Sequence, residues 1–353
     1  VSSSDLVTND TTRGETLAFS GSGTVSSANV QNNQSITLGS IAIADGSGGG
    51  LASNYNLTTG TFDISQKWVS VGGQKIYDAT TTVSSSDLEV TGEVTGESIS
   101  ITGTGSVTDK NVGSGKTIDI SGLSLSDGSH SASNYTIGTT SFAITPRNLT
   151  ISGEKVYDGT GTVLASQIDT VNTAGGETLT ISGEGSVSLP SVGTNKSITL
   201  NTLGISDGTT GTIGLASNYT LDSGSFDITT KPITLLGSRQ YDGTTDAASS
   251  DLTLIGQVSG ESISITGTGS VTDKNVGAGK TINTTGLSLA DNTSNASNYS
   301  LSTGTFTINN KILSISGTRA YDGSTTVSSG NISLNGLIAV SYTHLTLPTK
   351  RIV

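Results

Sequence analysis

Short runs in which apolar and polar residues alternate cover most of this chain. In residues 67–146, for example, Val69 and Val71 alternate with polar neighbours, and Ile99 and Ile101 do the same. A period of two over short runs that are bounded by Gly, Ser, Asp and Asn predicts half-buried antiparallel strands. No run has the spacing of an amphipathic helix. The pattern therefore predicts an all-β fold.

The alternation changes phase twice within this segment. The apolar positions are even up to Ile120 and odd from Leu123, and a second change separates Ile137 from Phe142. Because the side chains of a strand alternate between its two faces, a shift of one residue moves every later side chain to the opposite face. We therefore expect the strand to bulge or bend near Gly122, and a crossing from one sheet to another is one way to do so.

The same motifs return at a fixed interval. The segment KIYDATTTVSSSD, which begins at Lys75, has three further copies, and its tyrosines are Tyr77, Tyr157, Tyr241 and Tyr321. The tripeptide SNY also occurs four times and ends at Tyr55, Tyr135, Tyr219 and Tyr299. Both series step by 80, 84 and 80 residues. About 80 residues are enough to close a small core, so the sequence predicts a tandem array of small modules.

Each module contains seven or so short strands separated by glycine-rich turns, which favours a small antiparallel β-sandwich, with a small barrel as the alternative. We expect the modules to follow one another end to end. The predicted boundaries are a truncated repeat lacking its first strand at 1–66, full repeats at 67–146, 147–230 and 231–310, the start of a truncated repeat at 311–340, and a tail of different composition, interpreted as non-native, at 341–353. The joints have no Gly/Ser tether, so we expect a semi-rigid, monomeric rod.

Composition removes several classes of function. The 353 residues include no cysteine, which excludes disulfides and thiolate zinc sites. The formal net charge is −12 and no basic patch is present, so we expect no nucleic-acid partner. No apolar run approaches the roughly 20 residues that a membrane span requires, and we expect no membrane insertion.

Five motifs in fixed order suggest a family. YDG, DKNVG at 109–113 and 273–277, GKT, GLSLSDG and SNY together resemble the YDG-type repeat modules of large secreted bacterial surface proteins of the filamentous-haemagglutinin-like adhesin class. The resemblance covers most of 1–340. Ala79 replaces the glycine of the first YDG, and DKNVG is altered in two copies, which favours a role in turn geometry over a ligand site.

The resemblance implies export to the medium or the bacterial cell surface and no catalytic residues. We expect a structural stalk that projects the binding tip of an adhesin. The alternative is that the repeats themselves bind glycans or surfaces weakly and gain from multivalency. The expected partner is accordingly an adhesion target, a glycan or another cell surface.

An enzymatic function has little support in the sequence. Glu97, Glu177 and Glu261 recur in a GE motif, but a glycine followed by a glutamate before a strand is typical of a hairpin turn. No basic or imidazole residue recurs with them, and His130 is a single histidine in a serine-rich loop. The sequence therefore predicts no nucleophile–base pair and no catalysis.

Calcium is the one ion for which the sequence offers candidates, because oxygen ligands bind hard cations. The candidates are Asp78, Asp158, Asp242 and Asp322 after the recurring tyrosines, and the turn residues Asp45, Asp127, Asp207 and Asp291. Asp-Gly is also a common turn dipeptide, and no D-x-D-x-D cluster is present. We expect no cofactor, with calcium as the alternative.

The aromatic residues allow a last alternative, the stacking of sugars on exposed rings. Because the recurring tyrosines alternate in phase with aliphatic residues, we expect them to pack in the core, with each hydroxyl bonded to a backbone group. Trp68 occurs once, close to a joint, and we expect it to fill the interface between two modules.

Overall fold

A computed structural model describes residues 1–7, 14–222 and 224–338. These residues form strands, turns and three-residue 3-10 helices, and none of them is in an α-helix. The predicted all-β fold is confirmed. Within these ranges no helix has the length and apolar character needed to cross a bilayer. The predicted tail at 341–353 lies outside the described residues.

The strands fall into the predicted repeats. The first repeat contains β1 (Leu17–Ser20), β2 (Gln31–Ser35), β3 (Ala42–Asp45) and β4 (Thr61–Ile64). The second contains β5 (Lys67–Ile76), β6 (Thr82–Ser84), β7 (Leu88–Thr91), β8 (Ile99–Val107), β9 (Gly113–Lys116), β10 (Ile118–Asp119), β11 (Leu123–Asp127) and β12 (Tyr135–Thr145). The third contains β13 (Arg147–Val156), β14 (Thr162–Leu164), β15 (Ile168–Val171), β16 (Glu177–Ser182), β17 (Glu184–Val187), β18 (Gly193–Thr199), β19 (Gly204–Asp207), β20 (Thr212–Ile213), β21 (Tyr219–Leu221) and β22 (Ser225–Thr229). The fourth contains β23 (Lys231–Gln240), β24 (Asp246–Ala248), β25 (Leu252–Ile255), β26 (Ile263–Val271), β27 (Gly277–Asn283), β28 (Leu287–Asp291), β29 (Tyr299–Leu301) and β30 (Thr305–Asn309), and it is followed by β31 (Ser314–Gly317) and β32 (Ile332–Asn335).

The 3-10 helices recur at two places in the repeats. One precedes the SNY tyrosine, and the other follows the YD turn. The 3-10 helices are Ser3–Asp5, Ala52–Asn54, Ser85–Asp87, Ala132–Asn134, Ala165–Gln167, Ala174–Gly176, Ala216–Asn218, Ser249–Asp251, Ala296–Asn298 and Ser329–Asn331.

The chain divides into two compact units. Unit 1 consists of Val1–Leu149, Asn172–Thr180 and Ser206–Leu221. Unit 2 consists of Thr150–Val171, Ile181–Ile205 and Asp222–Val353, and is described as far as residue 338. The second repeat lies in unit 1 and the fourth in unit 2, apart from a residue or two at the predicted boundaries, whereas the third contributes segments to both.

In unit 1, the second repeat forms two four-stranded sheets. One has the order β7-β5-β12-β9, and the other joins β6, β10 and β11 to β8. A buried cluster of Val69, Ile99, Ala132 and Tyr135 draws only on this repeat. The alternating apolar residues of the sequence are therefore the inner faces of the two sheets.

In unit 2, the fourth repeat forms a single curled sheet with the order β24-β26-β27-β30-β23-β25. β27 belongs to both layers, because Gly277 and Lys280 pair with β30 while Ile282 pairs with β26. Leu235 and Phe306 are fully buried between the layers. The module thus combines the predicted sandwich with the barrel-like closure that was its alternative.

The first and last strands of a repeat run parallel, which corrects the expectation of purely antiparallel modules. In unit 1, β5 and β12 pair from Lys67 opposite Tyr135 to Ile76 opposite Thr145. Parallel strands need a long connection, and here the rest of the module supplies it. The chain therefore enters the repeat at one end and leaves it at the other, a ten-residue strand or about 33 Å away.

Both predicted phase changes coincide with bulges. From Asp119 to Leu123 the chain advances four residues while its partner β8 advances three, so the bulge predicted near Gly122 is confirmed. On the partner strand, Gly103 has a φ of 94°, and a Cβ there would lie 2.2 Å from the carbonyl oxygen of Gly122. The second shift of register follows Ile137.

Candidate functional site

Recurring residues of two successive repeats meet around Glu177 in unit 1. Glu177 begins β16 and is only 3% exposed. Its Oε1 accepts hydrogen bonds from the Tyr77 hydroxyl at 2.8 Å and the Lys110 ammonium at 2.7 Å, and its Oε2 accepts one from the Tyr219 hydroxyl at 2.7 Å. Both carboxylate oxygens are thus occupied, and the bonds join the second repeat to the third. We call Tyr77, Glu177 and Tyr219 the tyrosine–glutamate joint of unit 1.

The charges of this joint are fixed by its hydrogen bonds. Burial raises the pKa of the Glu177 carboxyl, but the bonds from Lys110, Tyr219 and Tyr77 lower it further, so the net pKa lies below its usual value. Burial and the neighbouring carboxylate raise the pKa of both tyrosine hydroxyls. At neutral pH the site therefore holds a carboxylate that accepts from two neutral phenols and an ammonium.

The two tyrosine rings also contact each other. The ring centroids of Tyr77 and Tyr219 lie 5.4 Å apart, with an angle of 79° between the planes. This edge-to-face arrangement is one that aromatic pairs prefer. The joint therefore combines ring packing with directional, charge-assisted hydrogen bonds.

Local sequence places the SNY tyrosine. The Asp207 carboxylate accepts a hydrogen bond from the Ala216 amide at 2.8 Å and fixes the 3-10 turn before Tyr219. The Ala174 amide donates to the Tyr219 hydroxyl at 3.1 Å. The other turn aspartates make the same bond to their own repeats, from the amides of Ala52 to Asp45, Ala132 to Asp127 and Ala296 to Asp291. The recurring LSLSDG aspartate is therefore an anchor for the SNY turn.

A second contact of the same joint uses asparagine. The Asn218 side chain, 1% exposed, accepts from the Val112 amide at 2.9 Å and donates to the Asn111 side chain at 2.8 Å. The DKNVG loop of one repeat is thereby bonded to the SNY turn of the next.

Unit 2 contains an equivalent joint between the third and fourth repeats. The hydroxyls of Tyr157 and Tyr299 donate to Glu261 at 2.6 and 2.5 Å, and their rings lie 5.5 Å apart at 81°. The Val192 amide donates to the Asn298 side chain at 2.9 Å. The position of Lys110 is occupied by Pro190, so this joint has no ammonium.

Between the first and second repeats the asparagine contact recurs, because the Val30 amide donates to Asn134 at 2.9 Å. Glu97 accepts from the Tyr135 hydroxyl at 2.5 Å. The matching tyrosine of the YD series would precede the first residue of the sequence, so Glu97 has one tyrosine partner in this chain and is half-buried.

Most of the recurring tyrosines are buried. Tyr77, Tyr135, Tyr157, Tyr219 and Tyr299 are at most 6% exposed, Tyr241 is half-buried, Tyr55 is 37% exposed and Tyr321 is 97% exposed. The expected backbone partner is wrong for the YD series, since the hydroxyls of Tyr77 and Tyr157 donate to a glutamate of the next repeat. The GE glutamates, interpreted as turn residues, are the centres of these joints.

Trp68 does not fill an interface, and that prediction is wrong. Its side chain is 76% exposed and lies over Gly138, where a Cβ would come within 3.2 Å of the tryptophan Cβ. Trp68 precedes the buried Val69 on β5, so the alternation of the strand directs the indole outward.

The proposed calcium ligands already have cationic partners. Asp78 accepts from the Thr80 amide at 2.9 Å and lies 2.9 Å from the Lys75 ammonium, which also donates to the Thr82 carbonyl at 2.6 Å. The same arrangement joins Asp158 to Lys155, Asp242 to Arg239 and Asp322 to Arg319. Burial raises the pKa of Asp78, while the bonds from Lys75 and Thr80 lower it to a net value below the usual one. In the described ranges no three His, Cys, Asp or Glu residues are grouped to hold a metal.

Calcium is expected to leave the melting temperature unchanged, because it would have to displace an ammonium or guanidinium from each YD turn. Calorimetric melting of the chain in calcium chloride and in chelator checks this, with magnesium chloride at equal ionic strength as the control for screening. A melting temperature that rises and saturates with calcium, but not with magnesium, would contradict it.

One contact departs from the expectation that no nucleophile–base pair forms. The Ser129 hydroxyl lies 2.9 Å from Nδ1 of His130, whose Nε2 is 4.0 Å from Glu97. The same hydroxyl accepts from the Ser98 amide at 3.0 Å and holds the loop against the strand. In the fourth repeat, Ser294 occupies the histidine position and keeps the turn. The pair is thus part of an exposed turn.

Comparison with known families gives one result. The model of the YDG domain matches residues 66–142, 145–226 and 228–307. These three segments correspond to the second, third and fourth repeats. No curated protein sequence matches the chain.

Proposed function

Because the chain belongs to the YDG domain family, we propose that its repeats are a structural spacer, the stalk of a secreted or surface-exposed bacterial adhesin of the filamentous-haemagglutinin-like class. In this proposal the repeats catalyse no reaction and need no cofactor. The tyrosine–glutamate joints are the observation that carries it.

The joints use the residues that an active site would need. Glu177 is the recurring acid, and both of its oxygens bind hydroxyl or ammonium groups of the joint. Glu261 binds two tyrosines in the same way. A group that is buried and saturated with hydrogen bonds is suited to fixing one repeat against the next. It is poorly suited to reaching a substrate.

The course of the chain through one repeat suits a spacer as well. Lys67 and Thr145 lie at opposite ends of the paired first and last strands. Each repeat therefore advances the chain by about 33 Å, the length of a ten-residue strand. Repetition of such a module gives reach in proportion to the number of copies.

A second candidate function rests on Trp68. An exposed indole is a surface on which a sugar ring stacks, and Trp68 is 76% exposed. The matching position of the next repeat is Asn148, so this surface is present once and does not recur. Multivalent binding needs several equal sites, which favours the spacer.

A glycan array probed with the full chain separates the two. We expect no glycan to be retained above background by the chain or by its Trp68→Ala variant, because the recurring tyrosines are buried. Retention of a glycan by the chain and its loss in Trp68→Ala would instead support a binding function. Thr136→Ala, on the neighbouring strand, is the matched control for a change of surface.

A further inference from the structure

The first and last strands of one repeat form a long parallel pair. β5 and β12 are paired along all ten residues of β5, from Lys67 beside Tyr135 to Ile76 beside Thr145. In the sheet order β7-β5-β12-β9 this pair is central, with a further strand on each side. The hydrogen bonds between β5 and β12 are therefore shielded from water at both edges.

Tension on the chain loads this pair along its length. The chain enters the repeat at Lys67 and leaves it at Thr145, so a pull on the two ends draws β5 and β12 in opposite directions along their common axis. All hydrogen bonds of the pair then carry the load together. A pair pulled apart from one end would lose them one at a time.

We infer that each repeat is a mechanical clamp, in which the parallel pair of first and last strands resists unfolding under tension. The inference stands on the geometry of one repeat and goes beyond the proposed spacer function, which requires length but no resistance to force.

Side chains strengthen the clamp against sliding. Val71 on β5 and Phe142 on β12 are both 1% exposed, so relative motion of the strands exposes apolar surface to water. The hydroxyls of Ser70 and Thr139 are 2.7 Å apart across the pair. The Thr145 hydroxyl also donates to the Lys75 carbonyl at 3.2 Å.

The fourth repeat has the same clamp. β23 pairs in parallel with β29 from Lys231 beside Tyr299, and with β30 as far as Gln240 beside Asn309. Phe306 on β30 is fully buried. Two repeats described in separate units thus present the same resistance to a pull between their ends.

The absence of cysteine from the sequence allows the direction of pulling to be chosen in the full chain. Lys67→Cys with Pro146→Cys attaches handles at opposite ends of the pair and shears it. Lys67→Cys with Ser133→Cys attaches them at the same end and peels it. All three side chains are exposed, and equal melting temperatures of the two variants and the parent chain verify that the fold is kept.

In single-molecule force spectroscopy, we expect the second repeat to unfold at a several-fold higher force in the shearing variant than in the peeling variant, because forced unfolding follows the rate of unfolding and the sheared bonds break together. Equal forces, or a lower force in the shearing variant, would overturn the clamp and leave the spacer function standing. Glycan binding through Trp68 would overturn the spacer function and leave the force difference unchanged.

Discussion

Replacement of Glu177 by alanine is expected to lower the free energy of unfolding by about 3 kcal/mol, since removal of one partner of a buried ion pair leaves the others uncompensated. Tyr77, which is fully buried, loses the only acceptor of its hydroxyl. Tyr219 keeps the bond from the Ala174 amide, and Lys110 reaches solvent. Urea unfolding followed by far-ultraviolet circular dichroism measures the change.

Glu97→Ala is the matched control. Glu97 occupies the same place in the GE motif of the second repeat and accepts from Tyr135. It is half-buried and has one tyrosine partner, and Tyr135 keeps its bond from the Val94 amide, so we expect a loss of about 1 kcal/mol. Equal losses in the two variants would show that the contact between repeats adds nothing to the bond within a repeat.

The joint also decides how cooperatively the array unfolds. In tandem repeats the total stability is close to a sum of the stability of each repeat and a term for each interface between neighbours. Glu177→Ala removes much of one interface term. We therefore expect the variant to unfold over a broader range of urea than the parent chain or Glu97→Ala.

The strands and the bulges could be predicted from the sequence because both are local. Alternation marks the inner face of each strand, and a change of phase after Ile120 requires an extra residue wherever the strand continues to bury its side chains. The pattern is the same for parallel and antiparallel neighbours, however. It therefore gave no sign that β5 and β12 are parallel.

The joints could not be read from the alternation, because their partners are far apart in the sequence. Tyr77 and Glu177 are separated by 100 residues, and Asn218 and Val112 by 106. A hydrophobic pattern reports that a position is buried and does not report what it meets. The signal that was available is the joint recurrence of YD, GE and SNY, three polar motifs at one interval, which indicates that their side chains share a task.

The same reasoning explains the error at Trp68. A tryptophan near a joint suggested an interface, but its place on β5 beside the buried Val69 already assigns it to the outer face. The position within the strand is a more reliable guide to burial than the size of the side chain. For the recurring aspartates, the sequence showed the turn but not the lysine or arginine that occupies it.

Alkaline pH is expected to weaken the joint of unit 2. Burial, with the adjacent Glu261 carboxylate, raises the pKa of Tyr157 to about 12, against about 10 in an unfolded chain. Below pH 10 both states keep the proton. Between pH 10 and 12 the unfolded chain loses it while the folded chain does not, so stability falls as the pH rises. Two pKa units correspond to about 3 kcal/mol.

Tyr157→Phe isolates this effect from the titration of the other tyrosines. The variant loses the hydrogen bond to Glu261, so at pH 8 we expect it to be about 1 kcal/mol less stable than the parent chain. It also loses the alkaline penalty, so the difference shrinks and then reverses as the pH approaches 12. Tyr321→Phe, at a side chain that is 97% exposed, is the control and should run parallel to the parent chain. Urea midpoints between pH 8 and 12 measure all three, and a constant difference between Tyr157→Phe and the parent chain would contradict a tyrosine held neutral by the joint.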